Sequence, residues 1–337
     1  MGNRVAAHRG RSRKSWSGSQ PSNLRPQTRL PGGGRSSLVP GFSPSTPSGL
    51  VLDYTLLVST PTVTLSGRDT YYVNGTVNIT SLTIEGGTVV KFTNTTSARI
   101  YVSGSVTCKT APYRPAILTS KDDDTVGETI PGSTGTPAGY YGNPMLKIYP
   151  YGVTLENLRF RWAKAALQFD GQSLSYTHTL RHLQMVDCEK GLVACGPSMY
   201  YPVNYYAGNL LLHNVPTGFD GYLYSGTVEH LTAHNLNLLA NGSAYYGASS
   251  LAVKNSVLGS VTNLVGTAVT LSGSYNGFYA SPTFGSSCVT TTVSPFESVG
   301  AGEHYLAEGC GFQNQGTTNL NATLANDLKK RTTVAPP

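Results

Sequence analysis

Three consecutive carboxylates form the densest acidic cluster of the chain. Asp122, Asp123 and Asp124 directly follow a short apolar segment. Carboxylate oxygens are the ligands that Ca²⁺ prefers, and the ion takes about six to eight of them. However, the run lacks the spaced Asp-x-Asp-x-Asp-Gly pattern of a calcium loop, and adjacent side chains do not all point at one ion. We therefore expect a solvated turn without a cofactor, and a Ca²⁺ site is the alternative.

A second set of charged residues has the types needed to cleave a glycosidic bond. Asp187 and Glu189 lie two residues apart, Asp170 precedes them, and Arg181 supplies a cation. A glycoside hydrolase needs two carboxyl groups about 5–9.5 Å apart. Charged residues make up only 12% of the chain, which is sparse for a catalytic cluster of several acids and bases. These four residues are the best catalytic candidates, but the composition favours a protein that is not an enzyme.

Tyrosine supplies the strongest signal for an interaction with another molecule. The chain has 21 Tyr against 9 Phe and 2 Trp, and several of them occur as pairs where turns are expected. An exposed Tyr ring presents a flat apolar face and a hydroxyl group, which suit a sugar ring or a protein partner. The alternative is that these rings only cover the core. The paired candidates for ligand binding are Tyr200, Tyr201, Tyr205, Tyr206, Tyr245 and Tyr246.

The elements that position these residues are short strands on an internal repeat. From residue 51 onward, runs of β-forming residues alternate with turn residues. Residues 154–167 and 179–192 align at an offset of 25, which superimposes Leu155 on Leu180. A third copy begins at Val228, close to two further periods along the chain. Such a period indicates a solenoid, because a propeller blade needs about 40–45 residues. The sequence therefore predicts an all-β fold, a right-handed parallel β-helix.

The same alignment places polar residues in columns along the predicted solenoid. Asn157, His182 and His230 become equivalent, each just before an apolar residue that points inward. A histidine column suits metal binding or proton transfer. The coils of His182 and His230 are two apart, about 9–10 Å, which is too far for one metal ion and favours a polar outer ladder. Glu156 and Arg181 also become equivalent and are expected to form a surface ion pair.

Two early segments carry a resemblance to a known family. Residues 82–92, Leu-Thr-Ile-Glu-Gly-Gly-Thr-Val-Val-Lys-Phe, and residues 103–109, which precede the segment 115–124, resemble bacterial right-handed parallel β-helix proteins of the pectin-lyase-like superfamily. The most similar members are large uncharacterised secreted or surface proteins. The resemblance implies the fold over roughly residues 70–330. It implies no single reaction, because this superfamily includes lyases that use Ca²⁺ with an Arg or Lys base, hydrolases, adhesins and phage tailspikes.

The charge distribution separates an N-terminal tail from the body of the chain. Residues 1–48 hold eight of the 24 Lys and Arg residues and no acid, and they are rich in Gly, Ser and Pro. Such a segment is expected to be disordered. The body that follows is close to neutral, so no nucleic-acid partner is expected from it. We assign residues 50–318 to the β-helix, and residues 319–337 to a short helix and a Pro-ended tail.

The composition of the body favours a location outside the cell. It is rich in Thr, Ser, Asn and Tyr and poor in charge, although no signal peptide can be read in the sequence. No apolar run reaches the length of a membrane span. We therefore expect a non-enzymatic extracellular or cell-surface β-solenoid that presents Tyr, Asn and Thr in its turns to a glycan or a surface protein. The alternative is a polysaccharide lyase or glycoside hydrolase of the pectin-lyase-like type.

Overall fold

The chain forms a parallel β-solenoid of about eight turns, as the repeat predicted. The computed structural model describes residues 53–170, 175–194, 202–243, 248–299 and 302–330, so the tail assigned to residues 1–48 lies outside the described residues. The sheet contains 21 strands, and all of their pairings are parallel. The right-handed winding and the exact domain boundaries stay predictions.

The strands follow the chain in this order. The first group is β1 (Tyr54–Leu56), β2 (Thr60–Leu65), β3 (Thr70–Val73), β4 (Thr76–Glu85), β5 (Val89–Phe92), β6 (Arg99–Lys109), β7 (Ala116–Ser120) and β8 (Leu146–Ile148). The second group is β9 (Thr154–Glu156), β10 (Leu158–Arg161), β11 (Leu167–Phe169), β12 (Thr177–Val186), β13 (Lys190–Ala194), β14 (Asn204–His213), β15 (Thr217–Gly221) and β16 (Ser225–Asn241). The last group is β17 (Ser249–Lys254), β18 (Val257–Val265), β19 (Val269–Ser274), β20 (Gly277–Tyr279), β21 (Val289–Thr291), β22 (Phe296–Val299) and β23 (Gly302–Leu306).

Each complete turn passes through three faces, and each face is a ladder of parallel strands. The first face runs from β1 through β3, β5, β7 and β10 to β21. The second face runs from β2 through β4 to β19, and the third from β4 through β6 and β8 to β18. Long strands such as β16 bend at the corners and contribute to more than one face.

The core is a stack of inward apolar side chains with one member from each turn. Leu155 pairs with Leu180, Leu180 with Ala207, and Ala207 with Val228, and all four are buried. The predicted common interior row is therefore confirmed. Each fully buried large apolar side chain of such a row contributes about 1.5–3 kcal/mol. Every turn except the two end ones has a neighbouring turn above it and below it. Because this stacking buries apolar surface, the turns stabilise one another.

One corner of every central turn is a single residue in the left-handed region. Asn157, His182, Asn209, His230 and Asn255 occupy it with φ between 50° and 57°. Asn tolerates this conformation better than most residues, which explains why it recurs at the corner. The predicted equivalence of Asn157, His182 and His230 is confirmed, and the two histidines lie two turns apart. The column is set by backbone geometry, and its side chains point away from the core.

Two segments cover parts of the outside of the solenoid. The first, residues 121–145, follows β7 and carries the three consecutive aspartates; we call it the acidic cover. The second comprises the described residues from 292 to 330; we call it the C-terminal cover. It contains the antiparallel hairpin of β22 and β23, the segment 307–321, and helix α1 (Ala322–Lys330).

Helix α1 lies within the segment that was expected to form a short helix. Asn321 caps it, because its side-chain oxygen accepts hydrogen bonds from the N–H groups of Thr323 and Leu324 at 3.0 and 3.2 Å. Leu324 is fully buried, and Gly208 makes room for it, since a Cβ there would lie 3.2 Å from the leucine side chain. Among the described residues, no helix is long and apolar enough to cross a lipid bilayer.

Candidate functional site

A cavity of about 500 Å³ lies between the solenoid and the C-terminal cover. Its floor is the left-handed corner and the first face of the last turns, and its roof is the hairpin. Segment 312–316 closes one side. The lining includes His230, Asn255, Tyr275, Gly277, Phe296, His304, Phe312, Gln313 and Gln315. A cavity of this size is within the range of about 300–1,000 Å³ that is usual for small-molecule sites.

Backbone and amide contacts hold the side wall of this pocket in place. Asn255 donates from Nδ2 to the carbonyl oxygen of Thr317 at 2.7 Å and accepts from its N–H at 2.9 Å. Phe312 is buried against Gly277, where a Cβ would lie 2.9 Å from the ring. Because both contacts join the segment to the solenoid, the wall is positioned by residues that come much earlier in the chain.

The polar groups that face the pocket are neutral. His230 lies at the corner, and its ring has no hydrogen-bond partner among the described residues; burial lowers its pKa, which keeps the ring uncharged at neutral pH. Tyr275 is 39% exposed, and Gln313 and Gln315 extend from the side wall. No Asp, Glu, Lys or Arg is among the described lining residues. The pocket thus combines aromatic rings with uncharged hydrogen-bonding groups.

A cluster of three histidines lies beside the pocket and shares His304 with it. His213 and His234 occupy the same register position on neighbouring turns, and their rings stack with centroids 5.2 Å apart. His304, from the hairpin, lies with its centroid 4.4 Å from that of His213. Its Nε2 lies 3.0 Å from Nδ1 of His234. We call His213, His234 and His304 the histidine cluster.

Burial lowers the pKa of every member of the histidine cluster. For His304, burial and then the neighbouring imidazoles of His213 and His234 lower the pKa to about 4. Burial lowers the pKa of His213, although the carboxylates of Asp187 and Glu303 oppose the change. Burial and the neighbouring His213 lower that of His234. The three rings are therefore neutral at pH 7, and a neutral imidazole has one ring nitrogen whose lone pair can bind a metal ion.

The expectation of a solvated turn at the three aspartates was wrong, because Asp122 and Asp123 are buried. Burial alone would raise the pKa of Asp122, but hydrogen bonds from the hydroxyl of Tyr141 and the N–H of Thr134, together with the charge of Lys121, lower it. Asp123 lies 3.5 Å from Arg161 and accepts from the Thr119 hydroxyl at 2.7 Å. Their carboxylates are thus engaged by protein donors, and their binding of Ca²⁺ stays a prediction.

Asp124 pairs with a lysine that is completely buried. The Nζ atom of Lys91 lies 3.6 Å from its carboxylate and has no hydrogen bond among the described residues. Burial lowers the pKa of Lys91, and the charges of Asp124 and Asp123 oppose this change. The acidic cover is therefore attached to the first face by ion pairs with residues from β5 and β10.

The predicted catalytic residues also have partners within the chain, and none of them lines the pocket. Asp170 pairs with Lys147 at 2.9 Å, and Glu189 with Lys164 at 3.4 Å. Asp187 occupies a corner and accepts a hydrogen bond from Asn214 at 2.9 Å. Arg181 pairs with Glu156 on the neighbouring turn, which confirms the predicted ion pair. Their catalytic role stays a prediction.

The structure corrects the expected position of two tyrosines. Tyr205 and Tyr206 lie inside strand β14, where turns were expected. The Tyr205 ring points inward, is 3% exposed and stacks on Phe219 at 5.9 Å. Tyr206 donates its hydroxyl to Glu229 at 3.0 Å. The expectation was wrong because strand alternation, in a chain rich in Tyr, buries one ring and leaves the next outside. Tyr200, Tyr201, Tyr245 and Tyr246 lie outside the described residues.

Sequence reasoning missed the pocket and the histidine cluster. It considered His182 with His230, and it did not join His213 and His234 to His304. The register of the repeat contains part of the signal, because His213 and His234 lie one turn apart and pair directly. The other part comes from the hairpin, which lies beyond the last strand of the solenoid and follows no repeat.

No protein-family model matches the sequence, and a search of the curated proteins finds no match. A function for this chain therefore has to be inferred from the fold and from the geometry of the pocket and the histidine cluster.

Proposed function

We propose that the protein is a non-enzymatic β-solenoid that binds a neutral glycan in the pocket beneath its C-terminal cover. The observation that supports this function is the lining of the pocket. Aromatic rings of Phe296, Phe312 and Tyr275 stand beside the uncharged polar groups of His230 and Gln313. Sugar rings present apolar C–H faces together with hydroxyl groups, and they need both kinds of contact.

The absence of charge around the described pocket favours binding over cleavage. Hydrolysis of a glycosidic bond uses two carboxyl groups about 5–9.5 Å apart, and the described lining holds none. Outside the pocket, the acids that the sequence offered for catalysis pair with lysines or with an amide. An ion-paired carboxylate is a weak general base, because its charge is already compensated.

The finer parts of this proposal rest on the sequence. The segments 82–92 and 103–109 resemble the pectin-lyase-like superfamily, in which several members act on or bind polysaccharides. The charge-poor body, rich in Thr, Ser, Asn and Tyr, supports a location outside the cell or at its surface. A surface protein is the other partner class that this composition suits, and a glycan is favoured because the pocket is concave.

The test is a titration of the full chain with a panel of neutral and acidic oligosaccharides by calorimetry. The structure provides conservative variants, because Asn stands at the corner position in neighbouring turns. His230→Asn and Tyr275→Asn keep the left-handed corner and remove a polar group or ring from the pocket. Each is expected to weaken binding of a neutral oligosaccharide about tenfold or more.

The matched control is Tyr113→Asn, which removes a ring that is 71% exposed and does not line the pocket. It is expected to leave the affinity unchanged. Binding that is lost equally in all three variants, or depolymerisation of any substrate that ceases on Asp187→Ala, would contradict the proposal.

A further inference from the structure

Three histidines from three separate strands bring their ring nitrogens together on the first face. One ring nitrogen of each of His213, His234 and His304 lies within 4.8 Å of one in each of the other two. We propose that the histidine cluster binds one Zn²⁺ ion, or a similar divalent transition metal, with water as the fourth ligand. This site does not depend on the glycan proposal, because only His304 belongs to both.

The spacing of the ring nitrogens fits a tetrahedral metal site. Zn²⁺ binds imidazole nitrogen at about 2.0–2.1 Å, which places two nitrogens of a tetrahedral site about 3.4 Å apart. Nδ1 of His234 and Nε2 of His304 are 3.0 Å apart, and all three ring nitrogens fall within 4.8 Å of one another. Small rotations of the side chains therefore bring the three nitrogens to bonding distance.

The hydrogen bonds of the cluster are incomplete without a ligand. Among the described residues, the three rings share one side-chain hydrogen bond, between His234 and His304. The Nδ1 atom of His213 is buried and has no partner within the described part of the chain. Leaving a buried polar atom unpaired is unfavourable. A metal ion would use the lone pairs of neutral imidazoles, which is the form that the lowered pKa values favour.

The surroundings of the cluster suit a cation held away from bulk water. The Phe296 ring lies with its centroid 4.8 Å from that of His234 and 5.2 Å from that of His304. Gly259, the next residue of the same row, leaves space for this ring. The charges of the Asp187 and Glu303 carboxylates act to raise the pKa of His213, so they favour positive charge at this position. The low-polarity wall and the nearby negative charge together favour metal binding.

A bound metal ion would fasten the C-terminal cover to the solenoid. His304 belongs to the hairpin, and His234 precedes it by 70 residues, so the ion would cross-link two distant segments. Coordination at His304 would fix the roof of the pocket, since this residue and Phe296 both line it. We therefore expect the metal ion to stabilise the C-terminal cover more than the rest of the molecule.

The experiment uses the full chain, freed of metal with a chelator and then titrated with Zn²⁺ by calorimetry. Elemental analysis after gel filtration gives the stoichiometry, and the visible spectrum of the Co²⁺ form reports tetrahedral coordination. The variants are His213→Gln, His234→Gln and His304→Gln, each expected to weaken binding about tenfold to a hundredfold. The control is His182→Asn, outside the cluster, with the residue that neighbouring turns carry at that corner.

One Zn²⁺ per chain, a tetrahedral Co²⁺ spectrum, and affinity that is lost in the three Gln variants but kept in the control would support the site. Wild-type chain that takes up no Zn²⁺, or binding unchanged by the three variants, would overturn it. The wild-type spectrum and stoichiometry need no variant, so a Gln variant that fails to fold does not prevent a decision.

Discussion

The two covers both pack on the outside of the solenoid but satisfy their polar groups in different ways. In the acidic cover, Asp122, Asp123 and Asp124 form ion pairs with Lys121, Arg161 and Lys91. Beneath the C-terminal cover, Nδ1 of the solenoid residue His213 is buried and has no hydrogen-bond partner among the described residues. Charged groups with partners from the same chain fasten a segment, whereas polar groups left without one indicate a site for another molecule.

The largest expected effect is the loss of a buried carboxylate from the acidic cover. Asp123→Ala removes the partner of Arg161 and of the Thr119 hydroxyl. Breaking a buried ion pair on one side leaves a charge uncompensated, so we expect the free energy of unfolding to fall by about 3 kcal/mol. Urea denaturation of the full chain measures it, and the exposed Glu308→Ala is the control. If the free energy of unfolding changes as little as in an ordinary surface substitution, Asp123 does not attach the acidic cover to the solenoid.

A smaller effect is expected where the hairpin lies on the solenoid. In Gly259→Ala, the new Cβ would lie 2.8 Å from the Phe296 ring and 3.2 Å from that of His234, so the ring must move. Overpacking of this kind costs about 1–3 kcal/mol. We expect a lower melting temperature and weaker Zn²⁺ binding. Gly75→Ala is the control, because its Cβ meets nothing within 4 Å. If the two variants have the same melting temperature and the same Zn²⁺ affinity, the hairpin does not pack against the row that contains Gly259.

The smallest effect is a pH dependence of the C-terminal cover. The pKa of His304 is about 4 in the folded protein, against about 6.5 in an unfolded chain. Between these values the unfolded chain binds more protons, so stability is present above pH 6.5 and is lost as the pH falls towards 4. Melting temperatures in a chelator from pH 7 to pH 5 should fall less for His304→Gln than for the wild type. Parallel curves would show that His304 is not buried as described.

The sequence predicted the solenoid because each coil repeats the same burial pattern. Leu155 and Leu180 face inward one repeat apart, and strand pairing preserves that register. It also predicted the Glu156–Arg181 ion pair between neighbouring coils and a short helix within residues 319–337. Interactions at fixed or short separations leave a periodic pattern, and such a pattern can be read from one sequence.

The site could not be predicted in the same way because it joins parts of the chain without a common period. His304 and Phe312 come from a segment beyond the last strand of the solenoid, and nothing in their spacing indicates which turn they contact. The pairing of Asp124 with Lys91 could not be predicted for the same reason, because residues 121–145 are an insertion between two strands and do not follow the repeat. Tyr205 shows a further limit, because strand phase decides whether a tyrosine is buried.

The most direct test of the contrast between the two covers is hydrogen–deuterium exchange of the full chain, with and without Zn²⁺ and the tightest-binding oligosaccharide. Ligands slow exchange where they stabilise a segment against local opening. We predict slower exchange in residues 302–316 and in the strands that carry His213 and His234, with exchange in residues 121–145 unchanged. Protection of 121–145, or no change in the C-terminal cover with either ligand, would contradict the account.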